Sequence, residues 1–320
     1  MALSTASRSV AGADNVRPRV RERVLAAAQE LGYERNLLAQ SLRRGLSMSV
    51  GFVVRDISNP MMAEIVLGAE RALRASGYAL SVTNSEGKPD LDAEYIRYFR
   101  QRAVDGLLLS LSDEDYGPTL EELRALAVPF VLVDRELPGN LESVAVLSDH
   151  AQGIESAARY LVSLGHRRIA LLAGPRDLRP GREAARALSD FCKSFPDVSC
   201  VIEHGSFSTR FGEVATSRMV TSADRPTAII AGGHLIMLGM LASLRAFGLK
   251  IPYDMSALTF DDSGDLAFFD PPMTALSREP LELGRTAAEL LLACLDGRAS
   301  SNIVVPPVFR PRASCGPPPA

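Results

Sequence analysis

The 320-residue sequence lacks tryptophan and holds only four histidines and four cysteines. It has no run of about eighteen apolar residues, so no membrane-spanning helix is predicted. Its first residues, MALSTASRSVAG, have no apolar block of the kind that a secretory signal needs. The cysteine spacing suits neither a zinc site nor a disulfide framework, so we expect scattered structural thiols. We predict a cytoplasmic protein with no membrane contact.

Motifs of common enzyme chemistries are missing as well. The sequence contains no G-x-S-x-G, H-E-x-x-H, P-loop or G-x-G-x-x-G pattern. Two acidic side chains in a cleft could imitate a glycosidase pair, but no spacing supports that interpretation. We therefore predict that the chain is not an enzyme and uses neither a metal nor another cofactor.

What the sequence does hold is an uneven distribution of charge. The apolar fraction of 47% and the charged fraction of 23% are ordinary for a globular protein, and the length suits about two domains. The net charge is −3, yet residues 1–45 contain eight arginines and four acids, which leaves −7 on the remainder. A basic head on an acidic body favours binding to a polyanion. A solvated basic helix face is the alternative.

The basic segment predicts two helices. Residues 17–31 form the first, with Pro18 in its first turn and Gly32 as its C-cap. Its buried stripe is predicted at Val20, Val24, Leu25, Ala28 and Leu31. Residues 36–44, NLLAQSLRR, predict a second helix that is too short to be stable alone. It either orders on DNA or is a linker helix packed on the body.

From Met48 onward, strands alternate with helices in two successive runs. This pattern predicts an α/β fold with two parallel-sheet lobes, in which a ligand binds beyond the carboxyl ends of the strands. The post-strand positions to consider are Arg55, Asp56, Asn84, Ser110, Asp134, Asp149, Phe207, Gly233, His234, Asp261 and Asp262.

A few of these signals have simpler interpretations. His166 lies between a helix and a strand, where a structural hydrogen-bonding role is favoured over a site role. Asp262 could cap a turn rather than face a ligand. Met61 and Met62 could line the mouth of a cleft or pack in the core.

Six motifs are spread over nearly the whole chain: GADNVRPRVRERVLAAAQELGYERN, DISNPMMAEIVLGAERALRASGY, VDGLLL, LGHRRIALLAGP, LTFDDSGDLAFFDPPMTAL and ELGRTAAELLL. Together they resemble the LacI/GalR (lactose-repressor) family of bacterial transcription regulators. The resemblance implies a small all-α head, made of a partial helix-turn-helix and a hinge helix, and a bilobal core like that of periplasmic sugar-binding proteins.

The resemblance also implies a domain division. Residues 1–45 are the DNA-binding head and hinge, and residues 46–315 are the effector-binding and dimerisation core. Lobe one would cover about 46–148 and 278–306, lobe two about 149–277, and residues 316–320 would be a tail. The C-terminal segment PPVFRPRASCGPPPA is proline-rich and lacks the leucine heptad through which the lactose repressor forms tetramers, so a homodimer is expected.

The expected function is that of a sequence-specific DNA-binding regulator, a repressor. Its partners would be a double-stranded DNA operator and a small-molecule effector in the cleft. Two alternatives stay open: a solute-binding module with the same core, and a truncated regulator that senses a ligand without reading DNA.

The resemblance implies contacts to DNA from the N-terminal segment and from the region around the hinge helix. The short N-terminal segment matches the base-reading helix of the family, Asn36 leads into the hinge helix, and Leu42 matches a leucine that wedges into the minor groove. The implied DNA-binding residues are Leu3, Ser4, Thr5, Ser7, Arg8, Tyr33, Asn36 and Leu42.

The head departs from the family pattern at its start. In the family, a first helix and a turn that ends in Gly-Val-Ser precede the base-reading helix. Here Met1 aligns with that valine and Ala2 with that serine, so the first helix is expected to be absent. Two explanations are open: a misassigned start codon, or a short head that binds DNA weakly and mainly through charge.

The resemblance also implies an effector site. Its residues are Arg55, Asp56, Asn59, Met61, Asp149, Arg182, Phe207, Gly233, His234 and Asp261. Two family positions differ: a ligand-gripping arginine aligns with Ala184, and an Asn-Asp pair is replaced within Gly232, Gly233 and His234. An arginine fork and an amide are common grips on hydroxyls and carboxylates. A sugar-like ligand or polyol, an amine-bearing ligand and no small ligand at all therefore stay open.

Overall fold

A computed structural model describes residues 17–31, 46–139, 141–298 and 301–319, together with Thr5. The chain divides into two compact units, Met1–Ser47 and Met48–Ala320. In the first unit, helix α1 spans Pro18–Glu30, as predicted from the periodicity of residues 17–31. Only Val24 of its apolar stripe is buried, whereas Leu25 and Leu31 are 44% and 81% exposed. The buried face of α1 is thus narrower than predicted.

The second unit alternates strands and helices. Its strands are β1 (Ser49–Val54), β2 (Ala79–Asn84), β3 (Gly106–Leu109), β4 (Phe130–Val133), β5 (Val144–Ser148), β6 (Arg168–Ala173), β7 (Ser199–His204), β8 (Ala228–Ala231), β9 (Ser256–Phe260), β10 (Thr274–Ser277), β11 (Ile303–Val305) and β12 (Val308–Arg310). Its α-helices are α2 (Pro60–Ala75), α3 (Pro89–Gln101), α4 (Gly117–Arg124), α5 (His150–Ser163), α6 (Arg179–Ser194), α7 (Thr209–Thr221), α8 (His234–Ala246) and α9 (Pro280–Leu295).

These strands form two six-stranded sheets, one for each lobe. Lobe one has the order β11-β5-β4-β3-β1-β2, with every pair parallel. Lobe two has the order β12-β10-β9-β8-β6-β7, in which only β12 runs antiparallel to its neighbour. The prediction of an α/β fold with two parallel-sheet lobes is confirmed. The chain passes between the lobes after β5, after β10 and after β11.

Helices cover both faces of each sheet, which explains why the central strands read as continuous apolar runs. In β1, the side chains from Phe52 to Val54 are fully buried. Glycines allow close helix contacts: a Cβ at Gly68 of α2 would stand 2.1 Å from the Leu281 carbonyl oxygen, and one at Gly284 of α9 would stand 1.9 Å from that of Ile65. Both helices therefore approach each other backbone to backbone.

The sequence placed most helices correctly but began several of them late. The apolar periodicity suggested a start at residue 62 for α2 and at residue 93 for α3, whereas they begin at Pro60 and Pro89. Proline is favoured in the first turn because its missing N–H would have no helical partner there. Strands β10, β11 and β12 were not predicted, because each has only three or four residues and lies beside proline or loop sequence.

Residues after β12 pack into lobe two. The Ser314 hydroxyl accepts a hydrogen bond from the Thr274 N–H at 2.8 Å, and Ser314 is fully buried. The ring of His166 lies 2.9 Å from the Gly316 carbonyl oxygen and 2.8 Å from the Thr227 hydroxyl. His166 therefore joins three parts of lobe two, and burial lowers its pKa.

Two further sequence predictions concern thiols and membranes. The four cysteines, Cys192, Cys200, Cys294 and Cys315, are free. Burial, together with a hydrogen bond to Cys200, raises the pKa of Cys192 to about 12, so this thiol stays neutral. Within the described residues, no helix has the length and apolar character needed to cross a membrane.

Candidate ligand-binding cleft

A cleft lies where the carboxyl ends of strands from both lobes meet. Lobe one contributes the ends of β1, β3 and β4, with Arg55, Ser110 and Asp134. Lobe two contributes Asp261 after β9 and Phe207 after β7. The space between them, including its open mouth, is about 510 Å³. This is the position at which open α/β sheets bind ligands.

A buried arginine occupies the floor of this cleft. Arg278 follows β10 and donates hydrogen bonds to Asp134 at 2.6 Å and to Asp261 at 2.7 Å. Its Nη2 contacts the sulfur of Met61. Burial opposes the charge on Arg278, but Asp261 and Asp134 outweigh it and raise its pKa. Arg278 thus joins one carboxylate of each lobe.

Asp134 is the most fully bonded carboxylate of the cleft. Its two oxygens also meet the His150 ring at 2.9 Å, the Arg179 guanidinium at 3.1 Å and the Ser148 N–H at 3.0 Å. Burial alone would raise the pKa of Asp134, but His150, Arg278 and Arg179 hold it well below the usual range. The carboxylate is therefore ionised at neutral pH, and every bond that it accepts favours that state.

Asp134 and Asp261 share an uncommon backbone conformation. Their φ angles are 53° and 73°, in the left-handed region that non-glycine residues rarely adopt. Aspartate tolerates this region better than most residues do. Each residue directly follows a buried strand, so the turn aims its carboxylate across the strand end toward Arg278. Such strained positions concentrate at functional sites.

A second ionic cluster closes the rim. The Glu114 carboxylate accepts hydrogen bonds from the backbone N–H groups of Arg179 and Glu136, at 3.0 and 3.1 Å. It also meets the Arg182 guanidinium at 3.2 Å. Burial raises the pKa of Glu114, although these partners oppose that effect. Because Glu114 belongs to lobe one and Arg179 to lobe two, this cluster also spans the cleft.

Two other arginines face the cleft without such partners. The ion pairs of the described cleft arginines involve Arg179, Arg182 and Arg278, and include neither Arg55 nor Arg135. Arg55 lies over the ring of Phe207, with 5.3 Å between the guanidinium carbon and the ring centre. Arg135 is buried and donates to two backbone carbonyl oxygens, those of Leu111 and Asp134.

The loop after β1 is fixed by its own polar groups. The Asn59 side chain accepts the N–H of Met61 at 3.1 Å and caps α2. The Asp56 carboxylate accepts the Ser58 N–H at 3.0 Å, and Asn84 accepts the Ile57 N–H at 3.0 Å. These bonds hold the loop beside the cleft, so Arg55 starts from a defined backbone position.

Six of the ten predicted effector-site residues line the cleft together: Arg55, Asp56, Asn59, Met61, Phe207 and Asp261. A seventh, Gly233, lies beside them, because a Cβ there would stand 3.5 Å from Phe207 and 3.6 Å from Asp261. Both interpretations offered for Met61 and Met62 apply, since both are buried and both line the cleft.

The other three predicted residues lie elsewhere. Asp149 caps α5 by accepting the Gln152 N–H at 2.9 Å. Arg182 is on the rim with Glu114. His234 begins α8, is buried, and lies 3.0 Å from the Ser263 hydroxyl through its Nδ1. Asp262, which was considered as a turn cap, pairs with Arg312 at 2.6 Å.

Most predicted DNA-binding residues cannot be placed. Leu3, Ser4, Ser7, Arg8, Tyr33, Asn36 and Leu42 lie outside the described residues, as do Gly32 and the predicted helix 36–44. Thr5 is helical.

Sequence reasoning missed several cleft residues, and Arg278 above all. Arg278 follows β10, and the rule of examining post-strand positions would have found it if that strand had been predicted. Arg179 and Glu114 belong to a helix start and a loop, for which no sequence signal was available. Among the described residues, no group of His, Cys, Asp and Glu is suited to hold a metal ion.

Comparison with known proteins gives this geometry a context. Residues 158–315 match the family model described as a periplasmic binding protein-like domain. The repressor PurR of Aliivibrio salmonicida (strain LFI1238) is 29% identical over 276 residues, which cover 85% of this chain and 82% of PurR. The repressor CytR of Escherichia coli (strain K12) is 29% identical over 305 residues, which cover 93% of this chain and 87% of CytR.

Solved structures agree. The lac repressor dimer bound to operator and the anti-inducer ONPF has a TM-score of 0.87 and 25% identity, covering 97% of this chain and 94% of that one. The chain is thus similar over most of its length to repressors of the LacI/GalR family. This chain is also similar to the transcriptional regulator CelR in its complex with cellobiose. The TM-score is 0.76 and the identity 28%, covering 96% of this chain and 94% of CelR. The similarity to these repressors indicates a transcriptional regulator with a ligand-binding core.

Proposed function

We propose that this chain is a transcriptional repressor whose operator affinity is set by a small molecule bound between the two lobes. The observation that carries the proposal is the convergence of polar side chains from both lobes on one cleft, with Arg55 and Asp134 on one side and Asp261 on the other. Residues 1–45 would read the DNA, and residues 46–315 would hold the effector and the dimer interface.

The cleft can couple ligand binding to lobe arrangement because its walls belong to different lobes. Phe207 of lobe two touches Arg55 of lobe one, and Arg278 connects Asp134 with Asp261. A ligand that meets both walls favours the lobe arrangement in which those contacts form. It shifts the equilibrium only by the difference of its affinities for the two arrangements. The proposed path to DNA then runs from Arg55 back through β1 to the hinge segment 36–44.

Binding rather than catalysis is the better match to the acids of the cleft. A glycosidase needs one carboxylic acid with a raised pKa to protonate the leaving group. The pKa of Asp134 is lowered by His150 and by the arginines beside it, and Asp261 is bonded to Arg278. Asp134 and Asp261 are committed to internal ion pairs, which supports a role in sensing.

A homodimer is part of the proposal. Large apolar side chains are exposed on the second unit, among them Phe268 at 88% and Tyr253 at 76%, with Leu67 at 41%. Exposed apolar groups of this size favour a protein contact when they lie in one patch. Sedimentation velocity at micromolar concentration should show a dimer, and a monomer or tetramer would contradict this part of the proposal.

Selection from a random DNA library tests the function directly. The full chain should enrich a palindromic site, and fluorescence anisotropy should then give a dissociation constant that rises steeply with salt. Replacing two exposed arginines of α1, Arg19→Gln with Arg23→Gln, should weaken binding and flatten the salt dependence. The matched control is Arg124→Gln, an exposed arginine of α4 in lobe one.

The outcome separates the regulator from its alternative. If no DNA sequence is enriched while a small molecule still binds the cleft, the chain is a sensing module that does not read DNA. If a site is enriched and a cleft ligand changes its affinity, the regulator is supported.

A further inference from the structure

Arg55 is the most incompletely satisfied charge of the cleft. Its Nε is buried and has no hydrogen-bond partner among the described residues. Its one direct side-chain partner across the cleft is the face of Phe207, at 5.3 Å. Burial lowers the pKa of Arg55, which shows that the surroundings disfavour its charge even with Asp56, Asp92 and Asp177 nearby. A half-buried charge of this kind is costly unless a partner of opposite charge arrives.

Arg135 adds a second cation to the same wall. It is 5% exposed, and its hydrogen bonds go to the carbonyl oxygens of Leu111 and Asp134, at 2.6 and 2.8 Å. Burial lowers the pKa of Arg135 to about 10, Asp134 and Glu114 attract it, and Arg55 repels it. Carbonyl oxygens satisfy N–H groups but do not neutralise the guanidinium. Lobe one therefore presents two close cations, and neither of them has a carboxylate in contact.

Two acids of the cleft, Asp134 and Asp261, are already in use. Asp134 accepts from His150, Arg179, Arg278 and a backbone N–H, and Asp261 accepts from Arg278. Asp56, Asp92 and Asp177 attract Arg55, but none of them forms an ion pair with it in the described part of the chain. An anionic ligand can supply the direct partner that Arg55 lacks.

We propose that the effector is a small hydroxylated anion, with a carboxylate or phosphate that binds Arg55 beside Arg135. This assignment rests on the proposed function, because it takes the cleft to be the effector site. A planar guanidinium matches carboxylate and phosphate oxygens with two parallel hydrogen bonds. Ser110 and Asn59 line the same wall and supply a hydroxyl and an amide for the neutral hydroxyls of the ligand.

The test compares neutral sugars with related anions. The full chain is titrated in a thermal-shift assay and by calorimetry with glucose, gluconate, glucose 6-phosphate and inorganic phosphate, and with the matching series built on ribose. An anionic polyol should raise Tm by at least about 3 °C when present at a hundred times its Kd. A response to gluconate alone identifies a carboxylate, and a response to the phosphate ester alone identifies a phosphate.

Variants place the anion on Arg55. Arg55→Gln removes the charge and should weaken binding of the responding anion at least about tenfold, because charge-assisted hydrogen bonds are lost. Arg55→Lys keeps the charge but loses the fork, and should fall between wild type and Arg55→Gln. Arg124→Gln in α4 changes the same residue type on the surface of the same lobe and should leave binding unchanged.

Three results would overturn the proposal: neutral sugars that bind as tightly as their anionic forms, a panel in which no anion raises Tm, and binding of the anion that is insensitive to Arg55→Gln. A response to inorganic phosphate equal to that of the sugar anions would show an ion site without a polyol and would also refute it. These readouts need no DNA. The anion proposal can therefore fail while operator binding stands, and operator binding can fail while the anion proposal stands.

Discussion

The arginines in and around the cleft are of two kinds. Arg278 and Arg179 are bonded to Asp134, whereas Arg55 and Arg135 contact an aromatic ring and backbone carbonyl oxygens. All four have the same chemistry and line or border the same cavity. The difference is whether the chain supplies the counter-charge. The paired set fixes how the lobes meet, and the unpaired set is left for recognition.

Mutating the paired and the unpaired arginines is expected to change the stability of the fold in opposite ways. Removing one member of a buried ion pair leaves an isolated charge, which is strongly destabilising. Removing a buried charge that has no partner relieves desolvation and costs little or nothing. Stability measurements on variants of the two sets therefore distinguish the structural arginines from the binding ones.

The largest effect is expected for Arg278→Met, which conserves volume but leaves Asp134 and Asp261 facing each other without their shared cation. Unfolding in urea should show a loss of about 3–5 kcal/mol. Arg74→Met is the matched control, because the Arg74 side chain is 71% exposed and pairs with Glu70 at the surface. That control should cost below about 1 kcal/mol. Equal losses in the two variants would remove the distinction between buried and surface pairs.

Asp134→Asn should destabilise the chain by about 3 kcal/mol at pH 7, since His150, Arg278 and Arg179 lose a shared anion. The folded-state pKa of Asp134 is lowered, so its stabilisation is present above the unfolded value of about 3.9 and is lost as pH falls below it. The stability difference between wild type and Asp134→Asn should therefore shrink between about pH 5 and pH 3. Urea titrations across that range measure it, and a difference that does not vary with pH would refute the assignment.

Glu114→Gln should have a smaller effect, about 1 kcal/mol. The amide oxygen can still accept the backbone N–H groups of Arg179 and Glu136, and burial already disfavours the charge of Glu114. Glu136→Gln, at the exposed end of the same cluster, is the control and should stay within about 0.5 kcal/mol. A loss above about 3 kcal/mol in Glu114→Gln would place Glu114 with the fully paired set.

The smallest change in stability is expected for Arg55→Met. The ligand-free chain should be unchanged within about 0.5 kcal/mol or slightly more stable, since a buried unpaired charge is replaced by an apolar chain. Thermal unfolding without ligand gives the answer. A loss of more than about 2 kcal/mol would mean that Arg55 supports the fold, and the comparison between the two sets of arginines would fail.

The two sets also differ in how far the sequence could reveal them. The apolar run before Arg55 marks a strand end, so its place at a cleft was predictable. Its lack of a counter-ion was not, because that depends on distances between strands that lie far apart in the sequence. Arg278 was missed since β10 has only four residues and follows two prolines, which hide its strand pattern.

A similar limit applies to Asp134 and Asp149. Both directly follow strands of lobe one, so their positions in the sequence predicted that either could face the cleft. The structure separates them because Asp149 directly precedes α5 and bonds the Gln152 N–H as its cap. Asp134 follows β4 in a left-handed conformation and turns inward. The choice between a helix cap and a site residue thus depended on the local backbone, which residue type alone does not determine.

Two partners of Asp134 lie on segments where the chain passes between the lobes. His150 follows β5 and Arg278 follows β10, so these ion pairs lie beside two of the connections between the lobes. These ion pairs restrain the connections between the lobes, whereas a ligand at Arg55 and Phe207 contacts the two facing walls of the cleft. Contacts between the ligand and these walls then change the angle between the lobes within the range that the ion pairs of Asp134 allow. The stiffness of the connections between the lobes and the affinity for the effector can therefore evolve separately.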